Sequence, residues 1–395
     1  MNSIVNQFTT EIVNTKNDLE QCIELLTKSF SFADHGMLRE SMSFFINNAP
    51  QLICIVVKKD SQVIALQCIL NREINFFGVP FKVAGMSYAA IEKKFQNSEV
   101  GKILKTNLFD YINTNANLSV GFARKAMDNY WFPYGYRGVT NFGEITLPLS
   151  KLVIGKNNYK SRNATKNDIK SLMKWFDETY RNSIGSFIRD NELWQYYLNK
   201  ISIQHEQVLI IYEDELEIGY CFLNKNFVLE VGFNKLHQIQ VFQFLCRKLK
   251  NDGWHEIIFK IGASHPLVRN IEKFEFSVFK RYVWRGGHIA KINNVSDFLR
   301  RFIKVLELRL LNAKVGEFVL SCNKFLFVYN KNSLLVSEYN GENPEICFEK
   351  SEWVKLIFGV LPVQSLVGFS GEKNIGIVNI LFPECNPQFP ELDHF

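Results

Sequence analysis

The stretch from Gly85 to Gly138 limits the fold more than any other part of this chain. Gly85-Met86-Ser87-Tyr88-Ala89-Ala90-Ile91 reads as a strand and Glu92 to Glu99 as a polar loop. Val100, Ile103, Leu104, Leu108, Tyr111 and Ile112 then recur at helical spacing. A strand that passes through a loop into a helix leaves unpaired N–H groups and a positive dipole end at the helix start, which suits a phosphate-bearing ligand. A second strand, Leu118 to Phe122, and the aromatic segment Asn129-Tyr130-Trp131-Phe132-Pro133-Tyr134-Gly135-Tyr136 complete the unit.

The rest of the chain must be built around that unit in more than one core. At 395 residues the sequence exceeds a single ordinary core, so two or three domains are expected, and 47% hydrophobic residues with 35 phenylalanines supply enough apolar surface to pack them. The formal charge of +6 is dispersed through the sequence in short doublets such as Lys93-Lys94 and Arg300-Arg301. Nucleic-acid binding calls for a concentrated basic face, and none is visible. The eight cysteines sit largely in apolar runs and no two are spaced Cys-x-x-Cys, so no zinc ribbon, redox motif or other metal site is expected. Met1 to Thr10 lacks a signal-peptide pattern and no apolar run reaches about 18 residues. A cytoplasmic protein with reduced thiols and no membrane association is the expectation.

Taken in order, Asn17-Asp18 can cap a helix carrying Leu19, Cys22, Ile23, Leu26 and Phe30 on one face. A second helical stretch runs through Glu40, Phe44 and Phe45. Strands follow at Leu52 to Val57, Val63 to Asn71 and Lys82 to Ile91, with a turn at Gly78-Val79-Pro80. Around Leu149 to Arg162 the pattern lapses into a linker. From Thr165 the order starts again, with a helix bearing Ile169, Leu172, Met173 and Phe176, strands at Val208 to Tyr212, Ile218 to Leu223 and Phe227 to Phe233, a helix with Ile239, Phe242 and Leu245, and a strand at Glu256 to Ile261. An internal repeat is the economical reading. Its strand–helix junction, Asn234-Lys235-Leu236-His237, has no glycine to let phosphates approach the backbone, so this copy is expected to be empty. The last portion has a helix from Val295, short strands at Phe318 to Leu320, Phe325 to Tyr329 and Leu334 to Tyr339, a helix capped by Ser351, and a helical run at Ile375 to Phe382.

The strand Gly85 to Ile91, Gln96 and Gly101 in the loop, and the Gly135-Tyr136 pair resemble the acetyl-CoA core of a GNAT N-acetyltransferase. More narrowly, the length and the final Phe395 resemble the enhanced-intracellular-survival (Eis) type. That resemblance implies an α/β (α+β) fold: two tandem GNAT domains, at 1–150 and a degenerate one at 160–293, then a sterol-carrier-like domain at 294–395. It implies acetyl-CoA as co-substrate, a small-molecule or lysine amine as acceptor, and admits a homo-oligomer. Tyr88, Ala89 and Ile91 would line the pantetheine arm. Gln96, Asn97, Ser98, Val100, Gly101 and Lys102 would surround the pyrophosphate. Asp34, His35 and Glu40 would face a cationic acceptor.

Acyl transfer to an amine needs a polarised carbonyl, an unprotonated amine and a proton for the departing thiolate. The resemblance assigns the acid to a tyrosine four residues before the Gly-aromatic pair. Here that count lands on Trp131, with Tyr130 one residue away, and Tyr130 is taken as the acid while Tyr134 and Tyr136 pack. The base would be the terminal carboxylate of Phe395, with His394 as alternative. Glu99 stands where the loop's first glycine belongs, and a carboxylate there would repel a diphosphate unless it points outward. These two departures leave a non-catalytic GNAT-like binding protein, or a tandem-GNAT aminoacyl or peptidyl transferase, as rivals.

Overall fold

The structure, a computed structural model, describes residues 8–13, 16–30, 35–47, 51–123, 128–139, 143–150, 152, 158–203, 207–262, 265–280, 287–366, 372–385, 387–390 and 393. The first part of the chain contributes β1 (Thr9–Ile12), α1 (Lys16–Ser29), α2 (His35–Asn47), β2 (Leu52–Lys59), β3 (Gln62–Phe76) and β4 (Val79–Ile91). After the loop come α3 (Glu99–Asn115), β5 (Leu118–Ala123), α4 (Asp128–Trp131), β6 (Arg137–Gly138) and β7 (Gly143–Pro148). Asp18 lies within the first turn of α1 rather than before it, buried and paired with Lys58 at 2.7 Å. The β3–β4 turn is also tighter than expected. Phe77 and Gly78 both take positive φ, the geometry of a two-residue hairpin, so the strand resumes at Val79 and includes Pro80.

The middle of the chain supplies β8 (Tyr159–Asn163), α5 (Ile169–Tyr180), β9 (Ile184–Phe187), α6 (Asn191–Ile203), β10 (Gln207–Glu213), β11 (Leu216–Asn224) and β12 (Phe227–Phe233). It continues with α7 (Gln238–Asn251), β13 (Glu256–Phe259), α8 (Val268–Ile271), β14 (Ser277–Lys280) and β15 (Gly287–Ile292). The last part holds α9 (Val295–Asn312), β16 (Phe318–Cys322), β17 (Phe325–Asn330), β18 (Ser333–Glu338), α10 (Trp353–Ile357) and α11 (Glu372–Leu381). Ser351 does not cap α10. It sits in a short 3-10 turn, where its Oγ accepts from Arg137 at 2.5 Å.

Three sheets organise these elements. The first runs β1-β2-β3-β4-β5-β15-β6, with β9 paired to β3; the second runs β14-β7-β13-β12-β11-β10-β8; the third is β16-β17-β18. The boundary at 150 and 160 expected from the sequence therefore separates stretches that the sheets join. β7 pairs with β13 and β14 of the second sheet, while β15 inserts between β5 and β6 of the first. Such an exchange makes each sheet incomplete without the other. It was hidden from sequence because a strand's partner is not written in its own pattern.

A phenylalanine cluster joins the third sheet to the first. Phe76 and Phe81 of the first sheet meet Phe298 and Phe302 of α9 and Phe358 beyond α10, all almost fully buried. Fully burying one such ring is worth roughly 1.5–3 kcal/mol, so the cluster makes the last part integral to the fold. The 387–390 segment then runs back between the first two sheets. Gln388 donates its N–H to Ile184 O at 2.6 Å and Phe389 stacks on His288 at 4.0 Å.

Candidate functional site

The site is built where β4 and β5 part. They pair in parallel only from Val83 opposite Leu118 to Met86 opposite Gly121, so the Ser87–Ile91 end of β4 is left without a strand on that side. A bulge in the β3–β4 ladder sharpens the divergence, since Gln67 opposes Ala89 while Ile69 opposes Met86. The buried Gln67 spans that bulge, donating to Ser87 O at 3.1 Å and Cys68 O at 3.0 Å.

Into this gap opens a cavity of about 360 Å³ lined by Gln67, Ala89, Ala90, Ile91, Gln96, Asn97, Gly101, Leu104, Lys105, Leu108, Tyr130 and Trp131. Six of the residues expected from sequence, Ala89, Ile91, Gln96, Asn97, Gly101 and Tyr130, thus share one cavity. The loop shapes its mouth. Gln96 Nε2 donates to Ile91 O at 3.2 Å, and Ser98 caps α3 by accepting from Val100 N at 3.3 Å. Asn97 carries the positive φ, +62°, that the missing glycine would have supplied; asparagine tolerates it better than most residues.

The other expected cofactor residues stand outside the lining. Val100 is fully buried in the core beneath α3, because its place in the helical repeat points inward. Lys102 and Ser98 face outward. Tyr88 packs against the α1–α2 core, and burial raises its phenol above its ordinary value. Glu99, the first residue of α3, is exposed and outside the lining, where a carboxylate favours the helix dipole.

On the opposite wall, Tyr130 is 40% exposed and its ring meets Trp131 edge-on at 5.0 Å. Tyr136 is buried, sharing a 2.7 Å hydrogen bond with Ser119, and burial pushes its phenol well up. Tyr134 is not inert packing: its hydroxyl accepts from Lys105 Nζ at 3.0 Å. Gln67, Leu104, Lys105 and Leu108 are among the lining residues that sequence reasoning missed. Gly101, Lys105 and Leu108 form an i, i+4, i+7 stripe, so the helical period already placed Lys105 beside the loop glycine.

The acceptor-side expectations are not brought to this cavity. His35 and Glu40 lie on α2 outside its lining, and Asp34 lies outside the described residues, as do His394 and Phe395. Asp393 is described, and its surroundings are a second feature absent from the sequence reading. Its carboxylate accepts from Arg189 Nη2 at 2.8 Å and Tyr197 OH at 3.0 Å and lies 3.3 Å from Arg72 Nη2; Arg189 also donates to Glu230 at 2.6 Å. Burial raises the Asp393 carboxyl, but Arg189 and Arg72 outweigh it and hold it below its ordinary value. A larger polar cavity of about 450 Å³, bordered by Lys82, Asn115 and Asp190, lies at the other end of β4 and holds none of the expected site residues.

Among the described residues no group of His, Cys, Asp and Glu could hold a metal, and no helix is long and apolar enough to cross a membrane. No family model and no curated protein matches the chain. Solved structures do. A GCN5-related N-acetyltransferase from Kribbella flavida is similar over 100% of both chains, with a TM-score of 0.70 at 11% identity. Another from Anabaena variabilis covers 96% of this chain and 100% of its own, with a TM-score of 0.71 at 13% identity. Eis1 from Mycobacterium abscessus covers 98% and 100%, with a TM-score of 0.66 at 10% identity. The chain thus has the mixed α/β fold of these proteins along its whole length.

Proposed function

We propose that this protein is an acyltransferase of the GNAT type that moves an acetyl group from acetyl-CoA to a primary amine of a small molecule or a lysine. The observation that carries the reading is the cavity itself, in which the free end of β4, the loop before α3 and Tyr130 converge. In this reading the pantetheine arm lies along Ala89 to Ile91, bonded by backbone groups that have no strand to pair with. The diphosphate meets the mouth formed by Gln96, Asn97 and Gly101. Tyr88, Ser98, Val100 and Lys102 support these walls from behind or from outside. Tyr130 supplies the proton for the thiolate, and the base is the Phe395 carboxylate or His394. The tandem layout, 1–150 and 160–293 with β7 and β15 exchanged between the two sheets, followed by a sterol-carrier-like unit at 294–395, is part of the same proposal, as are an acceptor approach past Asp34, His35 and Glu40 and a cytoplasmic setting.

The presence of Trp131 in the lining favours a second reading, a GNAT-like protein that binds the cofactor without turnover. Isothermal titration of the full chain with acetyl-CoA, followed by an amine panel assayed for free thiol release, separates the possibilities. Binding with release supports the transferase, binding without release supports the second reading, and no binding sinks both.

A further inference from the structure

Lys105 stands on the cavity side of α3, and its ammonium is drawn to the aromatic wall rather than to the loop. Its Nζ donates to Tyr134 OH at 3.0 Å and lies 4.4 Å from the centre of the Tyr130 ring. The diphosphate-binding mouth ends at Gly101, four residues earlier and about 6 Å back along the helix axis. The positive charge is thus placed at the wall where the leaving group would be protonated. We propose that Lys105 is the electrostatic partner of the departing thiolate, contacting the sulfur as the acyl group leaves. This inference rests on the acyl-CoA reading given above.

The chemistry requires such a group. The amine nitrogen attacks the thioester carbon, the C–N bond forms, the C–S bond breaks with its electron pair on sulfur, and the amine proton passes to the base. A phenol with the reference pKa near 10 is a weaker acid than a thiol near 8.5, so the proton transfer is uphill by about thirty-fold and the sulfur carries negative charge as the acyl group leaves, before the proton reaches it. A fixed cation beside the leaving sulfur stabilises that anion without giving up a proton. Lys105 can remain charged while it does so: burial lowers its pKa, but the hydrogen bonds to Tyr134 and Tyr130 outweigh burial and hold it above its ordinary value. Its partners are phenols, not carboxylates, so its charge is not cancelled locally.

The test uses the full-length protein as wild type, Lys105→Met and Lys105→Arg, with CoA and acetyl-CoA as probes. Methionine keeps most of the alkyl stem, and matching circular dichroism and melting curves establish that each variant is folded. The thiol of bound CoA is titrated by its thiolate absorbance. The expected midpoint is about one pH unit lower in wild type than in Lys105→Met, with Lys105→Arg restoring most of the shift. Acetyl-CoA, which has no thiolate, should bind all three proteins within about threefold. Equal midpoints in wild type and Lys105→Met overturn the inference alone. A loss of tenfold or more for both ligands in Lys105→Met also overturns it, since Lys105 would then be a diphosphate contact. Wild type that binds neither ligand overturns the acyl-CoA reading and this inference with it.

Discussion

The first and second sheets each contain a pair of parallel strands that diverge, and among the described residues the two divergences are used differently. In the first, β4 and β5 separate after Met86 and Gly121, and the free end of β4 faces open space under α3. In the second, β12 and β13 pair at Phe227–Ile258 and Val228–Phe259 and then separate in the same way. Side chains fill that gap. Tyr180 OH donates to Val231 O at 3.2 Å, Thr179 Oγ1 accepts from Phe233 N at 3.0 Å, and His265 lies against Val231 O at 3.3 Å. Leu267 N donates to His265 Nδ1, so Nε2 carries the hydrogen, and burial pushes the ring's pKa down to about 3. The same backbone divergence can thus be used to admit a ligand or to seat internal partners, and the difference lies in which polar groups satisfy the free strand edge.

The strongest way to break that comparison is to attack the charges that hold the filled side. Arg189, Glu230 and Asp393 are buried together with Tyr197 and Tyr220, and removing one member leaves its partner charged and dry. Arg189→Met should destabilise the protein by about 3–5 kcal/mol, read from the denaturant midpoint. If the midpoint barely moves, the filled cleft is not a structural substitute for a ligand. Acid sharpens the point. The Asp393 carboxyl is held below its ordinary value, so its contribution is complete above the usual carboxylate range and is lost as pH falls through the folded value. Glu230 is raised by burial despite Arg189, so its part runs the other way and weakens as pH rises. Asp393→Asn, weaker at neutral pH, should therefore lose less stability than wild type on acidification below about pH 4.

On the open side the largest expected effect is on turnover. Tyr130→Phe should lower it about a hundred-fold, within the range of general acid contributions, while acetyl-CoA affinity stays the same. Undiminished turnover would move the acid to a water or to Tyr134, whose hydroxyl Lys105 already holds.

Next in size is a change at the seam between the two regions. Gly185 has φ +108°, and a Cβ there would come within 2.7 Å of Gln388 O. Gly185→Ala should cost about 1–3 kcal/mol and loosen the 387–390 segment, visible as faster amide exchange at Gln388. Unaltered exchange would mean that segment is held elsewhere.

How much of this the sequence revealed depends on the range over which each feature is encoded. The β4–loop–α3 unit was legible because periodicity, a polar loop and Gly101 all lie within a few dozen residues. The helices at Ile169–Tyr180 and Gln238–Asn251 and the strands between them were legible for the same reason, as was the lack of a glycine at Asn234 to His237. The exchange of β7 and β15 was not, since pairing partners more than a hundred residues apart, from Glu256 opposite Pro148 to Ile292 opposite Leu118, leave no local trace. Nor was the Arg72, Arg189, Glu230 and Asp393 cluster, whose members look like ordinary surface residues until the chain brings them together. Glu99 was left open by the sequence, which allowed it to repel a diphosphate or to point outward; the structure has the outward case, with Asn97 taking the positive φ and Glu99 exposed.

That placement sets the smallest prediction. From sequence alone, Glu99→Gly should tighten acetyl-CoA binding by on the order of 1 kcal/mol, the effect of removing a partly screened carboxylate beside phosphates. With Glu99 exposed at the first position of α3 and outside the cavity, solvent and salt screen most of that repulsion. The substitution also removes a favourable charge at the positive end of the helix dipole and introduces the backbone freedom of glycine, together costing the start of α3 about 1 kcal/mol. The two effects oppose one another at the loop that meets the diphosphate. Titration of Glu99→Gly at low ionic strength should therefore show acetyl-CoA affinity within about threefold of wild type, with a slightly lower melting temperature. A tenfold gain would place Glu99 against the phosphates and redraw the mouth of the open cleft. A tenfold loss would mean that binding depends on the order Glu99 gives to the first turn of α3.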